Sequence, residues 1–195
     1  MKSVLRLLPA LALAATVSPL GADDATDNID AAKAAYEAGN YSEALTALDT
    51  ANQFIRQKKA EGVVKLLPAA PKGWEAGEPE SEVAASSLLG GGVTVKRTYT
   101  RESSNVTIKI QSDSAVMQYA AMFSNPMMLS ASGAKMETIK GQRVTVEFKS
   151  GADNGTIKAV VDGRYLVEFE GDSVTVDDLR TFAKAFDFAK LAALQ

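Results

Sequence analysis

Five methionines crowd between positions 117 and 136: Met117, Met122, Met127, Met128 and Met136. A thioether sulfur is a soft ligand that suits Cu(I). Three of them, Met122, Met127 and Met128, flank one Ser-Asn-Pro turn and are the candidates for such a site. The same side chains fill irregular gaps between a helix and a sheet, or offer an adaptable apolar surface to a lipid or a partner. The chain contains no histidine and lacks a repeated Met-x-x-Met spacing, so core packing is the favoured reading and no cofactor is expected.

The absence of histidine and cysteine has wider consequences. It removes Cys and His nucleophiles, His general bases, thiolate and imidazole zinc sites, and disulfides. Paired carboxylates remain. Glu168 and Glu170 alternate with Val167 and Phe169, which puts the acids on one face of a strand and the apolar residues on the other. Hydrolysis by paired carboxylates would need two acids facing across a cleft, one with its pKa raised by burial. A solvated face with Lys149, Lys158 and Arg164 as cross-strand partners is the simpler account. Ser86-Ser87 and Ser103-Ser104 have neither a nucleophile elbow nor a base. Gly90-Gly91-Gly92 precedes a strand and lacks the Lys-Ser/Thr of a phosphate loop. Asp153-Asn154-Gly155 and Asp172 read as turn residues without the alternating ligands calcium needs. No enzyme is expected.

Three aromatic residues are candidates for partner or ligand contact. The lone tryptophan, Trp74, either plugs the end of a core or anchors an interface, a role tryptophan often fills. Tyr36 and Tyr41 sit at the ends of two adjoining helical segments, the first too alanine-rich to stand alone.

These residues must be positioned by some 170 residues of ordinary composition. The whole chain has 195, with 46% hydrophobic and 23% charged residues and a net charge of −3. That is globular and does not suit nucleic acid, which wants a basic face. Met1 to Arg6 is basic, residues 7–20 are apolar but broken by Pro9 and Pro19, and Gly21-Ala22 precedes Asp23-Asp24. This layout predicts a cleavable secretory signal peptide over 1–22 rather than a stable membrane span, which needs about 20 apolar residues. The expected location is the periplasm.

The next segment, 23–67, reads as an acidic leader over 23–30 and then a helical hairpin. Residues 31–38 form a helix that Gly39-Asn40 stops. Ser42 is the expected N-cap of a second helix, striped by Ala44, Leu45, Leu48, Ala51, Phe54 and Ile55 and ended by Pro68. Beyond a linker at 68–73 the periodicity changes from helical to alternating, marking a second unit over 68–195. Strands are expected at 93–100, 105–110, 135–139, 142–149, 155–161 and 164–170, divided by Lys140-Gly141, Asp153-Asn154-Gly155 and the hairpin signal Asp162-Gly163. A helix capped by Ser112-Asp113-Ser114 carries Val116, Tyr119, Ala120 and Phe123. Thr175-Val176-Asp177-Asp178 opens a last helix with Leu179, Phe182, Ala183 and Phe186 on its buried face. The fold class is α+β: an antiparallel sheet packed by helices in the order β-β-α-β-β-β-β-α, preceded by the hairpin.

Residues 31–51, with "YEAGNYSEAL", resemble one tetratricopeptide-type unit. A single hairpin of this kind cannot bury its own face, since such arrays need about three units. Residues 66–194, opening with Pro71-Lys72-Gly73-Trp74 and closing with "DDLRTFAKAFDFAKL", resemble the PsbP-like α/β sandwich. That resemblance implies a secreted, non-enzymatic accessory or binding protein. The expectation is an envelope protein that acts by contact with another envelope protein, or through an apolar pocket. The alternative is a periplasmic carrier of Cu(I) or a small apolar ligand.

Overall fold

The structure, a computed structural model, describes residues 23–83, 92–112, 116, 133–148 and 151–194. The leader 1–22, Ser86-Ser87, the glycines at 90 and 91, and Lys149 lie outside them. So do Tyr119, Ala120 and Phe123 of the helix expected after Ser112, together with Met117, Met122, Met127 and Met128.

The acidic segment 23–30 is not a solvated leader. It is the start of α1 (Asp24–Glu37), whose first turn Asp23 caps by accepting the Ala25 N–H at 3.2 Å. Aspartates near a helix N-terminus face its positive end, so the acidity favours the helix. Gly39 leaves the helix at φ +80°, and Asn40 N–H closes the turn on the Ala35 carbonyl at 2.8 Å. The next helix, α2 (Tyr41–Val64), begins directly, with Asn40 rather than Ser42 in the capping position. Ala25, Ala32 and Ala35 of α1 and Ala44 and Ala51 of α2 are buried, the small side chains that let two helices approach closely.

One antiparallel sheet follows. Its strands are β1 (Glu75–Ala76), β2 (Glu80–Val83), β3 (Val93–Arg101), β4 (Ser104–Ser112), β5 (Lys135–Ile139), β6 (Gln142–Phe148), β7 (Gly155–Val161) and β8 (Tyr165–Asp172). The order is β1-β3-β4-β8-β7-β6-β5, with β2 also on β3. The short strands β1 and β2 carry no alternation of their own and form because β3 offers them an open edge. Ser112 ends β4, its hydroxyl accepting the Val93 N–H at 3.0 Å, and Asp113 and Ser114 of the expected cap lie outside the described residues. Asp162 and Gly163 both have positive φ, as a tight hairpin turn requires.

Two helices pack on one face of the sheet. Thr175 and Asp178 form a reciprocal capping box for α3 (Val176–Ala185). The chain then breaks at Phe186, and Asp187 caps a separate α4 (Phe188–Ala193) by accepting the Lys190 N–H at 3.0 Å. Val95, Tyr99, Val106, Ile108, Ile157, Val167 and Phe169 of the sheet meet Leu179, Phe182, Phe186 and Leu191 of the helices in one core. The far end of α2 joins this core through Ala60 and Val63, followed by Leu67. Arg164 fastens the C-terminal segment there, donating to the carbonyls of Ala192 at 2.7 Å and Leu194 at 3.2 Å. The Leu194 side chain lies 3.2 Å from where a Cβ on Gly62 would stand. So the hairpin is held at one end, and its tip reaches beyond the sheet.

A bidentate pair ties α3 to β5. Arg180 donates to both Glu137 oxygens, at 2.6 and 3.1 Å. These hydrogen bonds hold the Glu137 carboxyl below its usual range of about 4.5. A carboxylate with a lowered folded pKa adds stability above the unfolded pKa and loses it as pH falls through the folded one. Wild type is therefore expected to exceed Glu137→Gln by about 1 kcal/mol near pH 6. The gap should narrow in urea titrations as pH falls through the lowered Glu137 pKa. A gap unchanged at low pH would refute the assignment.

Candidate functional site

Trp74, which the sequence offered either as a core plug or as an interface anchor, is in the core: it is 8% exposed. Its indole meets the Phe182 ring edge-on at 5.0 Å, and the Arg101 guanidinium covers it at 4.4 Å. Arg101 is held there by Asp178 at 3.0 Å. Tryptophan just after the linker thus seals the end of the sandwich against α3.

Tyr36 and Tyr41 are brought together. Their rings are 5.5 Å apart across the hairpin turn, and 66% and 62% of their surface faces solvent. The turn beside them opens a shallow cleft of about 740 Å³ along Gly39, Asn40, Tyr41, Ser42, Glu43 and Thr46. Further along the hairpin Leu45 is 65% exposed, with Leu48, Ile55 and Ile29 close to half exposed. In α2 these residues recur at four- and three-residue steps, Tyr41, Leu45, Leu48 and Ile55, which aligns them on one face. In α1, Ile29 lies seven residues, about two turns, before Tyr36. Leu48 lies the same distance beyond Tyr41, so the antiparallel hairpin brings Ile29 and Leu48 to one level. Together the six side chains leave apolar surface on the order of 600 Å², the upper end for the largest patch of a typical monomer, where such patches are often functional.

The sequence shows these leucines but not their exposure. A single stripe holding alanines and leucines reads as one buried face. The structure divides it: the alanine column is buried, and Leu45, Leu48 and Ile55 beside it stay about half exposed or more. The usable signal was width. A stripe that includes Leu45, Ala44, Leu48 and Ala51 is broader than one thin neighbour such as α1 can cover. Ile29 was missed with the leader reading of 23–30.

The carboxylates behave otherwise. Glu168 lies between Lys109 and Lys158 in the ladder and bonds Lys158 at 2.9 Å. Glu170 lies beside Asn105, Thr107, Asn154, Thr156 and Asp172 in a polar groove of about 460 Å³ on the sheet face opposite the core. The Thr156 hydroxyl is buried with no hydrogen-bond partner. Among the described residues no group of three acids is placed to hold a metal, and no helix is long and apolar enough to cross a membrane. Met136 is 40% exposed on β5, apart from the hairpin.

No protein-family model, curated protein or solved structure matches the chain.

Proposed function

We propose that this is a non-enzymatic accessory protein of the cell envelope, exported to the periplasm, that works by protein contact through the outer face of its N-terminal hairpin. The observation that carries the reading is the apolar face built from Ile29, Tyr36, Tyr41, Leu45, Leu48 and Ile55, projecting from a sandwich that is well filled without it. Exposing that much apolar surface lowers solubility, and a covering partner removes the liability. Tyrosines at the tip suit an interface because a ring buries large area with few rotatable bonds while its hydroxyl stays satisfied. The basic-then-apolar start of the chain and the resemblance of 66–194 to secreted PsbP-like sandwiches support the compartment and the class.

The test is a photo-crosslinking residue in place of Tyr41, with the same residue in place of Glu102 at the β3–β4 turn, in cells that make the protein. An adduct is expected from position 41 and not from 102. Absence of any adduct from 41 would sink the reading.

A further inference from the structure

Resting on that reading of the hairpin face, we infer that its partner is a second copy of this chain. The two hairpins stack with their tips together and close an antiparallel four-helix bundle. The levels set by the Tyr36–Tyr41 contact make the face complementary to itself. A two-fold axis along the hairpin lays α1 of one copy across α2 of the other in the same antiparallel sense as within each copy. Ile29 then meets the level of the second copy's Leu48, and Tyr36 that of its Tyr41. Lys33 falls between Ile29 and Tyr36, where its long stem covers apolar surface while the ammonium reaches water.

Charge selects this orientation. Asp23, Asp24, Asp27, Asp30 and Glu37 against Lys33 give 1 − 5 = −4 over residues 23–37. The far half of α2 carries Arg56, Lys58 and Lys59 against Glu61, 3 − 1 = +2, with Lys58 beside Glu61 at 3.9 Å and Lys59 over the Tyr165 ring. Tips together, the acidic start of each α1 faces the basic end of the opposite α2. Tips opposed, α1 would lie on α1, −4 against −4. The area is sufficient: about 600 Å² from each copy gives roughly 1,200 Å² in total, the lower bound for specific, stable interfaces. Each helix then has two antiparallel neighbours, as in ordinary four-helix bundles.

Sedimentation equilibrium of the purified protein, as its host processes it, should give a dimer. Changing Leu45 and Leu48 together to Glu should weaken association about 100-fold or more, because the charges would be buried unpaired. The far-UV spectrum of the variant should persist, since neither residue is buried within one copy. The chain has no cysteine, so Asn40→Cys gives one thiol at each tip. A bismaleimide with a spacer of about 10 Å should join two copies, whereas opposed tips would stand about 20 Å or more apart, the length of α1. A monomer at 100-fold dilution and at the highest soluble concentration alike overturns the inference. So does a dimer that survives the double Glu change, or one that the bismaleimide fails to join through the Asn40→Cys thiols. A monomer whose position-41 probe captures a different protein overturns the second copy while leaving the contact face standing.

Discussion

Phe182→Ala is expected to lower unfolding free energy by about 3–5 kcal/mol, the range for deleting a buried ring. Phe182 is fully buried on α3, with Trp74 at 5.0 Å on one side and Tyr99 at 4.9 Å on the other. It therefore joins three parts of the chain: the segment after the linker, the middle of β3, and the last long helix. Tyr99 extends the connection by donating its hydroxyl to the Pro68 carbonyl at 2.8 Å, at the base of the hairpin. Removing the ring leaves a cavity whose walls belong to different elements and cannot close on it together. A chain of this size loses about 2–4 °C in Tm for each kcal/mol, so the loss should be near 10 °C. Trp74 is the lone tryptophan, and its emission should shift to the red as water reaches the indole. Lys72→Ala, at an exposed position in the linker, should change stability by less than about 0.5 kcal/mol. If Phe182→Ala cost no more than that control, the aromatic cluster would not be the joint described.

Much of this joint was legible in advance. The alternation of Val93 to Thr100 and of Asn105 to Ile110 gives the strands and their inward faces. Leu179, Phe182, Ala183 and Phe186 recur at helical spacing, and all four are buried. Thr175 and Asp178, three apart, fix the start of the helix by local hydrogen bonds that need no tertiary contact. What escaped depends on neighbours distant in sequence. β1 and β2 exist only because β3 has an edge to fill. The break at Phe186 is set by the Asp187 cap and by the Lys140 ammonium donating to the Phe186 carbonyl at 3.2 Å, from 46 residues away. Asp23 to Asp30 looks like a solvated leader because acidity is the loud signal there, while Ala25, Ala32 and Ala35 are a quiet one. The candidate surface suffered most. Whether Leu45 is covered depends on what stands beside it, and hydropathy along one helix does not carry that.

Gly171→Ala should also be damaging, less so than the loss of Phe182 and for the opposite reason. Gly171 pairs with Val106 on β4 and with Gly155 on β7, on the buried face of the sheet. A Cβ there would collide with Cγ2 of Val174 and come within 2.9 Å of Cδ2 of Leu179. Both belong to the turn and first residues that seat α3, so the missing side chain sets how closely that helix approaches β8. Overpacking of this kind costs about 1–3 kcal/mol, because the helix or the strand must move. Gly163→Ala is the useful contrast: nothing lies within 4 Å of its Cβ, and only its φ of +62° disfavours a side chain. That strain is about 1–2 kcal/mol. The collision can be tested apart from any intrinsic effect of glycine in a strand. Val174→Ala removes the atom that is struck first, so the double variant should be more stable than the two single losses predict, by at least about 0.5 kcal/mol. Urea midpoints of the four proteins give the coupling. Strict additivity would mean that the close approach of α3 to β8 is not what Gly171 protects.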